Sequence, residues 1–352
     1  MEHAFGSEFT LGAEEELLLV DPGTLALAPV AQEVLAAAGR PPELLAHEAY
    51  AAEVEARTPI TGGTEDAIAT LRESRLAVRS AGATPVGAGV HPTAELGDAP
   101  LVEKERYRRV GDAMRGLLRR TPECALHVHV GMPDAETAIR AFNAMRRHLP
   151  LLIGLAANSP WWFGVDSGMA SARAALVRSY PGRGVPRAFR DWDDYAETVE
   201  GIVSAGGLED YTHLWWDVRP HPRLGTLEVR EMDAQSSLDD VAALVALVHA
   251  LARHAAEHDA PADVAPDALA WSAFRAARDG LDAEILCGER IVPLREAARE
   301  TLADARPFAG DALDGVERIL REGGGADRRR RAAARGGARA MLEELVAETA
   351  GG

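Results

Sequence analysis

The segment Leu11 to Val20 passes from mixed positions at Glu14-Glu15-Glu16 into an unbroken apolar run, Leu17-Leu18-Leu19-Val20, the pattern of a strand entering a core. Successive strand side chains take opposite faces, so Glu14 and Glu16 share one face and Glu15 takes the other. Asp21-Pro22-Gly23 marks a turn, and a helix is expected around Gln32 to Ala38, ended by Gly39 and Pro41-Pro42. His47 to Glu55 reads as extended, with Glu53 and Glu55 on one face. Thr64 is placed to cap a helix that turns Ala67, Leu71 and Val78 inward, and a short strand from Thr84 to Gly89 runs into His91-Pro92. A second helix presents Val110, Met114, Leu117 and Leu118 at helical spacing. Cys124 to Val130 alternates as a strand closed by Gly131, and Asp134 caps a third helix carrying Ile139, Phe142, Met145, Leu149 and Leu152.

The stretch from Asn158 to Arg190 is rich in Pro, Gly, Arg and Trp with little periodicity, which predicts a long ordered loop over a site. Leu214 to Arg219 and Thr226 to Met232 alternate like two strands of a hairpin joined through Pro220 to Gly225. Ser237 and Asp240 read as a capping box for a helix bearing Val241, Leu244, Val245, Val248 and Leu251. From about Ala265 the chain reads as wholly helical. Gly323-Gly324-Gly325 is a turn in this part, and Arg328 to Arg331 reads as a solvated basic face. No internal repeat is visible. One domain is expected over 1–352, with an α+β core over 1–256 and a mainly helical part over 257–352.

A chain of 352 residues, 47% hydrophobic and 26% charged, can bury a full core. Its formal net charge of -17 argues against nucleic acid or an anionic membrane as the main partner, since both reward the opposite sign. No secretory h-region or long apolar run is seen, so a cytoplasmic protein is expected. Cys124 and Cys287 are too few and too far apart for a disulfide framework or structural zinc site, and both read as small buried hydrophobes. Lys104, the only lysine, sits in Val-Glu-Lys-Glu-Arg. That context excludes a Walker A loop and leaves little room for Schiff-base chemistry.

Three segments place polar groups at period two on strands. Two carboxylates at the start of a core strand, Glu14 and Glu16, repel each other unless a cation lies between them; a solvated strand end is the alternative. His127-Val128-His129 puts two imidazoles on one face, as metal ligands or as hydrogen-bonded core histidines. Glu228-Val229-Arg230 does the same with opposite charges, either as an ion pair or with the carboxylate on a cation and the guanidinium on a phosphate. Together with Glu48 and Glu55, an oxygen-rich set with few imidazoles suits Mg²⁺ or Mn²⁺ holding a triphosphate better than zinc.

Leu11 to Glu16, Gly89-Val90-His91-Pro92, Leu126 to Gly131, and above all Leu214-Trp215-Trp216-Asp217-Val218-Arg219-Pro220 followed by Gly225-Thr226-Leu227-Glu228-Val229-Arg230 resemble the bacterial YbdK-type carboxylate-amine ligases, the type 2 glutamate-cysteine ligase family. The likeness extends through Ser171-Ala172-Arg173 and Gly325 to Arg328, nearly the whole chain. It implies a glutamine-synthetase-like α+β fold. In that fold an antiparallel sheet, backed by helices, holds Mg²⁺ and ATP on its concave face. It further implies Glu14, Glu16, Glu48, Glu55, His127 and Glu228 as metal ligands, Arg230 and Glu228 as nucleotide contacts, and Arg230 and Arg173 as catalytic groups toward the phosphoryl group and substrate. Family members often carry a polar residue near Ala51 or Ala52, where this chain has alanine at both, so Glu53 competes with Glu55 for the ligand position.

The activity so implied is ATP-dependent formation of γ-glutamylcysteine through an acyl phosphate, with Trp161, Trp162 and Arg173 in a lid. A ligase of the same family acting on another acid and amine is an alternative. So is a metal-dependent barrel hydrolase built on His127 and His129, or a non-catalytic nucleotide or amino-acid binder. Partners are expected to be small molecules, and the apolar helix faces permit a homodimer.

Overall fold

In the computed structural model, which describes residues 1–258 and 263–351, the first strand sorts the whole sheet. Strand β1 (Leu11–Val20) leads through α1 (Ala31–Ala37) to β2 (Leu45–His47) and β3 (Glu53–Arg57). Helix α2 (Thr64–Ser80), β4 (Thr84–Val86), α3 (Glu105–Met114) and β5 (Ala125–Gly131) follow. Next come α4 (Ala135–Met145), α5 (Leu149–Ala156), the two-residue strands β6 (Trp161–Trp162) and β7 (Val165–Asp166), and α6 (Ala172–Leu176). After α7 (Trp192–Gly206), β8 (Val218–His221) and β9 (Thr226–Asp233) form a hairpin. The C-terminal part holds α8 (Leu238–Glu257), α9 (Pro266–Asp279), β10 (Glu284–Cys287), β11 (Arg290–Pro293), α10 (Leu294–Ala309), α11 (Asp314–Glu322) and α12 (Gly325–Gly351).

The main sheet runs β2-β3-β1-β5-β9-β8, with β4 paired to the far end of β1, and every pairing is antiparallel. That topology excludes the parallel strand-helix repeat the barrel hydrolase requires. One face is apolar: Leu17, Leu19, Val54, Leu126, Val128 and Val229 are fully buried and share a core with α2, α4 and α8. Each such side chain contributes roughly 1.5–3 kcal/mol by leaving water. Helix α8 is buried along most of its length and forms the centre of this layer. Glu15 points into it and is neutralised by Arg75, which reaches it through two hydrogen bonds of 2.9 and 2.7 Å and spends its remaining donors on the carbonyls of Gln235 and Ser236. An ion pair so fully hydrogen-bonded survives its own desolvation.

Several local expectations change. The third helix breaks at a 3₁₀ turn, Arg146–His148, because Pro150 opens α5 and has no N–H to continue the previous helix. The C-terminal part is not wholly helical: Ile285 and Val292 turn inward from the β10-β11 hairpin. Gly63 rather than Thr64 precedes α2, and Ser237 makes no side-chain cap. Asp240 instead pairs with Arg318 and Arg328. Of the Arg328–Arg331 run only Arg331 is exposed: Arg329 is 1% exposed and meets Glu344 and Glu348, while Arg330 meets Asp166. Arg328 and Arg330 tie α12 to α8 and to the β6-β7 hairpin, while the Arg329 pairs join the two halves of α12 across the break at Gly336 and Gly337. No described helix is long and apolar enough to cross a membrane.

Candidate active site

Residues directly opposite in antiparallel strands share a face, so the register states what meets what. Glu14 stands opposite His127, Glu16 opposite Glu55, Leu18 opposite Glu53, His129 opposite Glu228, and Glu228 opposite Arg219. All of these lie on the face away from the main core, where Leu18 is buried in a smaller apolar cluster with Val86 and Cys124. His127 bridges the first carboxylate pair, with Nδ1 3.4 Å from Glu14 and Nε2 3.9 Å from Glu16. His129 bonds Thr226 through Nδ1 at 3.1 Å, and its Nε2 lies 3.8 Å from both Glu14 and Glu228.

The β5-β9 ladder slips between Leu126 and Val128, so that His127 alone faces both Arg230 and Glu231. Such a bulge turns two consecutive side chains the same way. Strict alternation puts Glu231 in the core, whereas here it meets Arg178 at 3.5 Å beside Asp217. Arg173 secures the bulge from behind: it is 1% exposed, donates to the carbonyls of Glu231 and Arg230 at 3.2 and 3.3 Å, and lies 3.9 Å from Asp233. Arg173, expected to contact substrate or phosphate, thus has both terminal nitrogens on backbone carbonyls of β9. Asp233 in turn accepts from Ser159 and Ser171 and fills the space a Cβ at Gly89 would need, 2.6 Å from its Cγ. That close approach requires glycine at the head of the Gly89-Val90-His91-Pro92 motif.

A cleft opens over this face, floored by Glu16, Glu48 and Glu53 and walled by Tyr180, Trp215 and Arg230. Glu48 does not sit on a strand with Glu55; it belongs to the turn between β2 and β3, whose bend lets it swing over the floor. Glu53 is 2% exposed and accepts a hydrogen bond from Cys124 at 2.8 Å, and Glu16 accepts one from the Ala125 amide at 2.6 Å. Glu55 shares its charge with Arg57 at 3.0 Å. The expected lid is different too. Trp161 and Trp162 lie in the β6-β7 hairpin, held to α12 through Asp166, while the later part of the same loop supplies Tyr180 and Arg183 to the cleft.

Burial, then Glu16, lifts Glu48 to about 7. Burial and neighbouring carboxylates likewise push Glu53 and Glu55 well above their usual range. Burial would raise Glu14 too, but the His127 and His129 imidazoles beside it hold its carboxyl well below the usual range. Burial and Arg230 depress His127, leaving the neutral imidazole that a metal prefers. Burial would lower His129 as well, but Glu228 and Glu14 hold it above its ordinary value. Glu228 stays ionised despite burial because Arg219, at 2.6 Å, and Arg230 both grip it.

This donor set fits a divalent cation. Crowded carboxylates repel one another, and His129 Nε2 is buried with no hydrogen-bond partner among the described residues. Oxygen donors with one or two imidazoles suit Mg²⁺ or Mn²⁺. Donor atoms of Glu16, Glu53 and Cys124 lie within 4.8 Å of one another, but burial and Glu53 push the Cys124 thiol far up, so it remains protonated and is a poor ligand. Of the expected ligands, Glu14, Glu16, Glu55 and His127 gather on one face, Glu48 joins from a turn, and Glu228 is already occupied by two guanidiniums. Glu53 stands with them. Arg183, Arg219 and Glu231 were not legible as site residues; Arg219 in Asp-Val-Arg-Pro, two residues from Asp217 on an alternating strand, is the one that period-two spacing could have found.

An antiparallel sheet with its acidic face open and helices behind is the glutamine-synthetase-like α+β fold expected from the sequence. The same fold appears in a glutamate-cysteine ligase from Francisella tularensis in complex with AMP, with TM-score 0.75 at 14% identity over 98% of this chain and 90% of that one. A bifunctional glutathione synthetase from Pasteurella multocida matches with TM-score 0.71 at 16% identity, over 97% of this chain and 52% of the other. The model of glutamate-cysteine ligase family 2 matches residues 10–348, and the chain belongs to that family. A Rubrobacter xylanophilus relative, provisionally named glutamate-cysteine ligase 2-3, is 42% identical over 99% of both chains. The glutamate-cysteine ligase of Halobacterium salinarum is 38% identical over 81% of this chain and 83% of its own.

Proposed function

We propose that this ligase couples ATP cleavage to amide formation, joining the γ-carboxylate of glutamate to the amine of cysteine through an acyl phosphate. The observation that carries the reading is the meeting of Glu14, Glu16, Glu53, Glu55 and His127 on one sheet face beside Arg230. Membership in the family, and the AMP complex of the Francisella enzyme, support a nucleotide as the partner of that face. Glu14, Glu16, Glu48, Glu55 and His127 would hold Mg²⁺ or Mn²⁺, with Glu53 sharing the floor and Glu228 completing the set if Arg230 swings to the phosphate. When bound, the divalent ion neutralises phosphate oxygens.

The chain's own groups do the rest. Phosphoryl transfer asks chiefly for positioning and charge. Arg230, released from Glu228 and carried on a backbone that Arg173 holds, faces the charge that develops on the transferring group. The substrate carboxylate attacks the γ-phosphorus, ADP leaves, and the amine then displaces phosphate from the acyl carbon. Tyr50, Tyr180 and Trp215 line the cleft and limit the access of water to the acyl phosphate.

Incubating the purified protein with Mg-ATP and a panel of acid and amine pairs, following phosphate and product mass, tests this. Phosphate and γ-glutamylcysteine are expected with glutamate and cysteine, and both are expected to vanish in Glu14→Gln and Arg230→Ala. Near-wild-type turnover in either variant defeats the site assignment, and nucleotide binding without phosphate release favours a binding protein instead.

A further inference from the structure

Arg183 lies between Gly182 and Gly184 on the stretch leading from α6 to α7 and lines the cleft beside Tyr180, Trp215 and Arg230. Both glycines have positive φ, +71° and +113°, so the backbone can present Arg183 here only because neither neighbour has a Cβ. The turn itself is pinned. Gly184 N donates to Asp217 Oδ1 at 3.1 Å, and Gly184 O accepts from Asp217 N at 3.1 Å. Its arginine is not: Nε and Nη1 are buried with no hydrogen-bond partner among the described residues. The nearby carboxylates of Asp217 and Glu231 meet Arg178, at 2.7 and 3.5 Å; Glu231 Oε2 has no hydrogen-bond partner among the described residues, and burial, then Asp217, lifts this carboxyl to about 8. Burial, with Arg230 and Arg173, lowers the Arg183 guanidinium to about 10. A rigidly mounted guanidinium with buried, unmade hydrogen bonds is costly until an anion completes it.

We propose that Arg183 binds the second, non-reacting carboxylate of the acid substrate, so that this residue selects dicarboxylic acids. The inference rests on the ligase reading above. Its planar fork matches a carboxylate in two parallel hydrogen bonds. Phosphate is the other anion of the reaction, but Arg230 already stands at the acidic face where a cation and triphosphate would lie. Arg183 has Glu231 and Asp217 rather than Glu14 and Glu16 as its acidic neighbours, and it lines the cleft with Tyr180 and Trp215, whose rings suit the carbon skeleton of an amino acid.

Titration calorimetry with glutarate and with butyrate, in the presence of Mg²⁺ and a non-hydrolysable ATP analogue, reads the second carboxylate without turnover. The wild-type protein is expected to prefer glutarate by about 10- to 100-fold, the worth of a charge-assisted pair. Arg183→Gln should lose that preference with butyrate binding unchanged, and Arg183→Lys should keep part of it. Absence of a preference in the wild type, or its survival in Arg183→Gln, overturns the proposal. Steady-state kinetics give a second reading: KM for glutamate should rise in Arg183→Gln while KM for ATP stays within about twofold. A rise in KM for ATP alone overturns the proposal by assigning Arg183 to phosphate. Failure of the wild type to release phosphate with any acid defeats the ligase reading, whereas the glutarate preference still stands or falls on Arg183 itself.

Discussion

Three consecutive glutamates divide their work by the alternation of one strand. Glu15 turns into the core and is matched by Arg75, while Glu14 and Glu16 turn to the cleft. Two substitutions separate these roles. Arg75→Met leaves a buried carboxylate unpaired and should lower stability by about 3–5 kcal/mol in denaturant unfolding. Glu14→Gln should leave the unfolding midpoint nearly unchanged and lower turnover by about 100-fold or more. Equal loss of stability in both would show that the alternation does not divide structure from site. This much was legible in the sequence, because period two in Glu14-Glu15-Glu16, His127-Val128-His129 and Glu228-Val229-Arg230 is local. Arg75 was not, because its partner lies 60 residues away on another element.

At the scale of elements, the bulge opposite His127 decides which groups of β9 reach the cleft. Periodicity cannot announce a bulge: Glu228-Val229-Arg230-Glu231 reads as plain alternation, and the slip depends on a neighbouring strand distant in sequence. The position of Arg173 was hidden for the same reason, since its carbonyl partners exist only once β9 has bent. Arg173→Gln should lower kcat by about 10- to 100-fold with KM for each substrate changed little, as loss of positioning predicts. A large rise in KM with kcat intact would restore Arg173 to direct substrate contact. Glu48 teaches a related lesson, since His47 to Glu55 is too short a stretch for its pattern to reveal the turn that lifts Glu48 off the strand.

Over the whole molecule, an antiparallel sheet backed by helices followed from the family likeness, while the order of its strands and the clamps between distant parts did not. The Arg328–Arg331 run reads as solvated until α8, the β6-β7 hairpin and the far end of α12 bring Asp240, Asp166 and Glu348 against it. Acid stability belongs to this scale as well. Burial, then Arg147 and His254, lowers His148 to about 4, whereas an unfolded chain's histidine titrates near 6.5. Between those values the unfolded state binds the proton and the folded state does not. Stability from this group is therefore complete above about pH 6.5 and lost as pH falls toward 4, by roughly 1–2 kcal/mol after solvent screening. In His148→Gln, unfolding free energy measured by denaturant should fall less steeply over that window; an unchanged slope would contradict the assignment.

Whether the acidic face of the sheet holds a divalent cation is tested directly by the electron paramagnetic resonance of Mn²⁺ titrated into the protein. The wild-type protein should deplete the free Mn²⁺ signal, Mg²⁺ should restore it by competition, and a folded Glu14→Gln, Glu16→Gln double variant should leave it at full strength. Equal depletion by the wild type and the double variant would place the cation elsewhere and contradict the account.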